Sequence, residues 1–422
     1  MTALVRRIDA FAERRFGYCT AAVLAAGVAL MCLRRPTAFT RPGLYAEDGA
    51  IFLAEALDRG LGAILHPYNG YVHLVPRLVA ELGSWLPIDW TPQWYAAASA
   101  SVAVASCSLV LNRRFAHLIG GFSVRTLGFV LLLLIPRLTE VHLAVNSLLW
   151  WCAIALVLVS LLDDPATPTG RIAELTTVPI LVMSGLGGLV LAPLALLRAL
   201  RTRTRHGAAL VVAWWVPAAV QAAIYLASTR QNGHVPVGAP LARSAIEKVF
   251  GSLAFSRRAV DGRWAQGVPP VAFVALVLFA SVWAVSVFVG TRPLRNAAIA
   301  WTAVGSLIAG FMALGPNAAA LPDRYTVLPI AAVIIGLLTA RPGHSGTRLD
   351  AALAPGALAV LRWTRVVMLV AILVVRVLDV EVPARADTHW SRSANCLRHI
   401  ERTCLVPLNP AGWSVTIPAG RR

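Results

Sequence analysis

Apolar and polar stretches alternate along almost the whole chain, and most apolar stretches approach the roughly 20 residues that a helix needs to cross a bilayer core of about 30 Å. Spans are expected at 18–33, 94–111 and 118–135, and a fourth begins near Trp150 and Trp151, read as an interfacial anchor, and ends at Asp163 and Asp164. Further spans follow at 208–227, 270–290, 297–314, 325–340 and 366–380. The run 175–197 is broken by Ser184, Gly185, Gly187 and Gly188 and has arginines at both ends, so it reads as two short helices or a re-entrant hairpin. The fold class expected is an all-α polytopic membrane protein with about eleven transmembrane helices and short extracytoplasmic helices on the membrane surface.

Arginine at the short loops sets the sides. Arg6, Arg7, Arg14 and Arg15 place the N-terminus in the cytoplasm, Arg113, Arg114, Arg292 and Arg295 mark inner loops, and parity then places the C-terminus outside. Residues 1–380 form the membrane domain, with a first outer loop at 34–93 and a second at 228–267, and residues 381–422 form a short extracytoplasmic tail. In the second loop Leu241, Ala245, Val249 and Leu253 recur at helical spacing opposite Arg243, Glu247 and Lys248, the pattern of a helix lying on a membrane. Arg34 and Arg35 follow the first span with no small-residue cleavage pattern, so that span is expected to be retained.

Composition agrees with the pattern: 58% of residues are hydrophobic, 14% are charged, and the mean hydropathy is +0.69, too apolar for an ordinary soluble domain. The net charge of +18 does not point to nucleic acid, because the basic residues sit between apolar runs and form no aromatic-interleaved patch. Cys19, Cys32, Cys107 and Cys152 lie in or beside apolar runs and read as small hydrophobes. Cys396 and Cys404, in the polar tail, are close enough to close a short disulfide loop in an oxidising compartment.

Candidate chemistry concentrates in the first outer loop, where Glu47 and Asp48 stand at the start of a predicted helix, 49–57. Asp48 can be the cap of that helix, a general base at the membrane surface, or both. His66, Tyr68, Asn69 and Tyr71 surround an Asn-Gly turn and can shape a sugar pocket, while His73 and Arg77 follow on a surface helix. A second cluster, Arg137, Glu140 and Asn146, is expected at the outer end of the third span, where polar packing is the alternative to a site role. Pro322, Asp323, Arg324, Tyr325 and Pro329 open a late span, with interfacial anchoring as the plain alternative. No Walker-type phosphate loop, GxSxG, zincin motif or metal-ligand spacing is present.

A first span followed at once by an outer loop with an acid pair, then surface helices, then many more spans, resembles the GT-C superfamily of integral-membrane glycosyltransferases. The resemblance implies a polyprenyl-phosphate sugar as donor, a cell-envelope glycan or lipid as acceptor, and an acid of the first outer loop as catalytic base. Asp48 maps to that base and Glu47 to its neighbour. The Arg-Tyr pair with a following Pro is similar to one at this place in polyprenyl-phosphate-dependent members, which makes Arg324 and Tyr325 the expected donor-phosphate residues, with Arg77 and His73 as further candidates. Tyr68, Asn69, Tyr71, His66, Glu140 and Asn146 are the pocket candidates. A divalent cation is used by some members only. A lipid-linked-sugar flippase or another transporter is the rival reading, and a non-catalytic assembly protein in the envelope a third.

Overall fold

The computed structural model describes residues 3–228, 245–256, 268–288, 292–313, 321–339, 355–399 and 401–420. Each expected apolar run forms a helix. In chain order these are α1 (Ala3–Arg14), α2 (Phe16–Leu33), α3 (Ala54–Arg59), α4 (Leu74–Ser84), α5 (Thr91–Ser108), α6 (Phe122–Leu133), α7 (Leu148–Leu161), α8 (Pro168–Val182), α9 (Ala192–Thr202) and α10 (Arg205–Ala227). After them come α11 (Pro270–Phe288), α12 (Pro293–Met312), α13 (Val327–Thr339), α14 (Pro355–Leu378) and α15 (Trp390–Arg398). The chain closes with an antiparallel hairpin of β1 (Cys404–Leu408) and β2 (Trp413–Ile417), in which Cys404 pairs with Ile417 and Leu408 with Trp413.

The expected eleven spans are not reached. Among the described residues four helices are long and apolar enough to cross a membrane, namely Phe16–Leu33, Ile88–Leu111, Arg205–Ala227 and Pro270–Val287. The pair Pro168–Val182 and Gly187–Thr202, bent by 117° at the Ser184–Gly187 break, makes a fifth if counted as one span. The shortfall has a physical reason. α7 and α13 have 14 and 13 residues and are buried on nearly every side, so they are apolar all round because they form the core. Trp151 lies in that core and does not anchor at an interface. In α12 and α14, Arg295, Asn296, Arg365 and Arg376 interrupt the apolar run.

Where helices meet inside a membrane, contact depends on dispersion and close approach, and small residues allow it. Gly27 in α2 lies against the Phe129 ring of α6, where an added Cβ would come within 2.6 Å of the ring. Arg34 and Arg35, at the end of α2, then bind the surrounding backbone together. Arg34 donates to the carbonyls of Leu133, Ile135 and Val380, and Arg35 to those of Thr139, His142 and Pro383. Several of these carbonyls follow helix C-termini, where unpaired acceptors and the helix dipole favour a cation. α2 is thereby fixed to the 133–142 segment and to the start of the tail.

The loops sort into two groups. At one end the bend at Met183 and Ser184 accepts the Leu74 and Val75 amides that open α4, at 3.1 Å each, and Gln221 near the end of α10 pairs with both backbone groups of Val72. At the other end Glu13 of α1 pairs with Arg113 and Arg125, and Arg292 donates to the carbonyl of His117. The expected surface helix of the second loop is described only over Ala245–Phe250, a π-helical turn, and Gly251–Ala254; Leu241, Arg243, Arg257 and Arg258 lie outside the described residues. Within it Val249 and Leu253 are buried, and the Phe250 ring packs against Phe279 and Trp283 of α11, so this face points into the protein.

Candidate functional site

The acid pair sits where Leu44 to Ala46 run beside the carboxy-terminal tail. Asn409 donates its amide to the carbonyl of Leu44 and accepts the amide of Ala46, and Tyr45 pairs with Asn409 as an isolated parallel bridge. The next residues wind into a π-helical turn, Asp48–Leu53, that passes into α3. Asp48 does not cap this helix, contrary to the capping expectation. Its carboxylate, 1% exposed, accepts instead from another part of the chain: Oδ1 takes the Asn146 amide at 2.7 Å and Oδ2 the Val145 amide at 3.2 Å. Val145–Ser147 is the single 3₁₀ turn that leads into α7, so Asp48 caps the amino end of a core helix 97 positions away.

Burial pushes the Asp48 carboxyl up from 3.8 to about 7, against the pull of the two amides and of the nearby Arg385 guanidinium, with Glu47 adding to the rise. Glu47 is held by the other end of Asn146, whose Nδ2 donates to Glu47 Oε2 at 2.9 Å. One asparagine therefore bonds both acids. Asp48 opens on a cavity also lined by Arg35, Arg41, Tyr95, Leu143 and Arg385, whose free volume of about 10 Å³ suits a single water molecule.

Tyr45 gathers the remaining charges. Burial, and next the Glu140 carboxylate, pushes its phenol up from the ordinary value, while Arg385 and Arg324 act in the opposite sense and Glu47 adds to the rise. Arg324 pairs with Glu140 at 2.6 Å and lies 5.3 Å from the centre of the Tyr325 ring, which meets Trp150 edge-on at 5.5 Å. Asp323 beside it takes Arg137 at 2.9 Å and Lys248 at 3.5 Å. Glu47, Asp48, Glu140, Asn146 and Arg324, scattered over almost 280 positions of sequence, thus share one neighbourhood.

The other candidates form a second patch around Phe52 of the Asp48 turn. Asn69 and Gly70 both have positive φ, 54° and 84°, and Tyr68 and Tyr71 exchange two backbone hydrogen bonds across them, the geometry of a type I′ turn. Tyr71 stacks on His73 at 4.2 Å, and Phe52 of the Asp48 turn meets His73 and Tyr68 edge-on. Arg77 is 1% exposed, pairs with Glu55 at 2.8 Å and lies over Phe52, and His66 binds the same Glu55 oxygen at 2.8 Å. Arg77 is therefore neutralised within the protein. Cys396 and Cys404 are joined as a disulfide between α15 and β1.

Tyr45, Arg385 and Asn409 also stand in this neighbourhood and are not among the residues expected from the sequence. Tyr45 adjoins the acid pair and carried a signal in that position alone, whereas Arg385 and Asn409 look like any polar residues of a tail. Among the described residues no three His, Cys, Asp or Glu side chains gather in a way that can hold a metal ion, so no ligands are assigned to a divalent cation. No family model matches the sequence, and neither a curated protein nor a solved structure matches it.

Proposed function

We propose that the chain is a multi-pass membrane glycosyltransferase of the GT-C kind, which moves a sugar from a polyprenyl-phosphate donor to a cell-envelope glycan or lipid at the outer face of the plasma membrane. In this reading the N-terminus is cytoplasmic, the tail is extracytoplasmic, and the helices too short or too polar to qualify as spans on their own are carried in the membrane by the longer ones around them. The observation that carries the reading is Asp48, a buried carboxyl brought to about 7 in a neighbourhood with Glu47, Glu140 and Arg324. A group poised near working pH is suited to take a proton.

The acceptor hydroxyl oxygen forms a bond to the anomeric carbon, the bond from that carbon to the phosphate oxygen breaks, and its electron pair leaves with the polyprenyl phosphate. The hydroxyl proton passes to Asp48. Arg324, freed from Glu140 by a competing anion, binds the phosphate, since a guanidinium grips two oxygens at once. The water-sized cavity beside Asp48 means that the acceptor enters through movement of the neighbouring loop or tail.

A buried carboxyl of this kind beside a water-sized cavity also suits the rival reading, proton-coupled transport of a lipid-linked sugar. The experiment that separates them supplies purified protein in nanodiscs with synthetic polyprenyl-phosphate sugars and envelope acceptors, and follows glycosidic product by mass spectrometry. Product from wild type and none from Asp48→Asn supports the transferase. Lipid-linked sugar crossing the membrane with no new glycosidic bond would overturn it.

A further inference from the structure

The tail beyond α14 is built into the core of the molecule. Val382 donates its amide to the carbonyl of Arg34 at 2.7 Å, Trp390 donates to the carbonyl of Ile88 at 3.2 Å, and Asn409 joins Leu44 and Ala46 immediately before the acid pair. Leu408 fills the space beside Gly49, where an added Cβ would lie 2.3 Å from a Leu408 methyl. The disulfide ties α15 to β1 and so fixes the hairpin that presents Leu408 and Asn409. Between these attachments the chain carries Arg385 to the Asp48 cavity. Its guanidinium lies 4.3 Å from the centre of the Tyr45 ring, its Nη2 donates to the carbonyl of His142 at 3.2 Å, and its Nε is shielded from solvent with no hydrogen-bond partner among the described residues.

We propose that the carboxy-terminal segment is a working part of the Asp48 site and that Arg385 is its positioning residue, holding the Asp48 carboxylate charged and turned to the cavity. This rests on the reading of Asp48 as the proton acceptor. The charged and titratable groups around Asp48 come from several segments: Glu47 and Tyr45 from its own stretch of chain, Arg35 and Arg41 from the segment after α2, Tyr95 from α5 and Arg385 from the tail, with His142 of the 133–146 segment beside Arg385. Their geometry singles out Arg385. Arg35 spends its donors on three backbone carbonyls, Arg41 is exposed, and burial together with Arg34 and Arg35 holds His142 well below its ordinary value and so neutral. Among the described residues one Arg385 donor is bonded, to the His142 carbonyl, and the guanidinium shares the cavity lining with Asp48 and interacts with its charge.

The test reads Asp48 directly. A hydrophobic carbodiimide reacts with protonated buried carboxyls, and peptide mass spectrometry reports modification of Asp48 in the full-length protein between pH 5 and 9. Removing a cation beside a carboxylate raises its midpoint, by about 1 pH unit or more for a close pair. Arg385→Gln is therefore expected to shift the Asp48 midpoint upwards by about that much, and Arg385→Lys to restore most of it, with melting temperatures measured on each. If Arg385→Gln does not fold, Arg385→Lys alone decides, through a midpoint that rises on adding salt where wild type does not. An unmoved midpoint in folded Arg385→Gln, or a salt-independent wild-type midpoint in Arg385→Lys where that variant decides, overturns the proposal. Labelling does not depend on transfer, so a shifted midpoint without glycosidic product from any donor places the failure in the transferase reading and leaves the Arg385–Asp48 coupling intact.

Discussion

Two buried acids, one at each polar end of the helix bundle, are treated in opposite ways. Glu174 of α8 meets Arg198 at 2.7 Å, Arg114 at 3.1 Å and His206 at 2.7 Å, and Arg198 continues to Asp164 while Asp163 takes Arg295 at 2.6 Å. That end is a closed network in which the buried carboxylate has cationic partners at hydrogen-bond distance. Asp48 has two backbone amides and a cation across a water-sized cavity, and burial leaves it near neutral pH. A carboxylate locked into ion pairs stabilises one packing arrangement, whereas one held by neutral donors stays free to change its protonation. The difference separates an end held by paired charges from one where a buried carboxylate can change its charge.

Substituting the two acids should split stability from activity. Asp48→Asn keeps size and removes proton acceptance, so transfer is expected to fall about 100-fold to 10,000-fold, while the unfolding midpoint at pH 8 does not fall. Glu174→Ala leaves Arg198 and Arg114 short of a buried partner and is expected to cost about 3–5 kcal/mol, with the pH profile of the surviving activity unchanged. Thermal melts and initial rates on the same preparations check both. A destabilised Asp48→Asn with normal turnover per folded molecule would reduce Asp48 to the cap of α7.

The pH dependence of stability has a definite sign. Asp48 titrates at 3.8 ordinarily and at about 7 in the folded chain, so between those values the folded state binds the proton more tightly. Its contribution favours folding at the acid side of that window and is lost as pH rises through it. Measured against Asp48→Asn, the wild-type melting temperature should fall by a few degrees from pH 5 to pH 8, the scale set by roughly 2–4 °C per kcal/mol in larger domains. A flat difference would mean that Asp48 ionises normally.

Arg324 gives a smaller effect. If it binds the donor phosphate, Arg324→Gln should raise the KM for the donor, with a loss in kcat/KM of about 10-fold to 100-fold, the worth of one charged hydrogen bond. Glu140→Gln, which releases Arg324 from its pair at 2.6 Å, should leave donor binding equal or stronger. Equal losses in both variants would instead mark the pair as structural.

What was legible in the sequence follows from the range of the forces involved. Apolar periodicity acts within one element, so the long apolar helices, the broken 175–197 run and the Asn69-Gly70 turn can be read locally, whereas α15 and the β1–β2 hairpin of the polar tail cannot. Whether a helix of 13 or 14 apolar residues crosses a bilayer or is sheathed by its neighbours depends on what packs around it, and α7 and α13, expected as spans, are helices of that length buried by their neighbours. The site shows the same division. Glu47 and Asp48 stood out as a pair, and Glu140, Asn146 and Arg324 as polar residues at span ends, but nothing in the spacing joined them. Arg385 and Asn409 reach the acid pair through contacts between segments far apart in sequence, Val382 on Arg34, Trp390 on Ile88 and Leu408 against Gly49.

The smallest effect is expected from the most conspicuous tail contact. Arg398 makes a two-pronged ion pair with Asp89, and both side chains are close to half exposed, 50% and 41%. Ion pairs in that setting are screened by solvent and salt and contribute little, even with good geometry. The tail is held instead by buried groups: Trp390 on the Ile88 carbonyl, Leu408 against Gly49, and Asn409 on the backbone of Leu44 and Ala46. Arg398→Ala should therefore leave the melting temperature, the transfer rate and the Asp48 labelling midpoint at their wild-type values, at low salt as well as high. A large loss in any of them would mean that the tail is docked by charge at its rim, and Arg385 would then reach Asp48 only as firmly as one exposed ion pair allows.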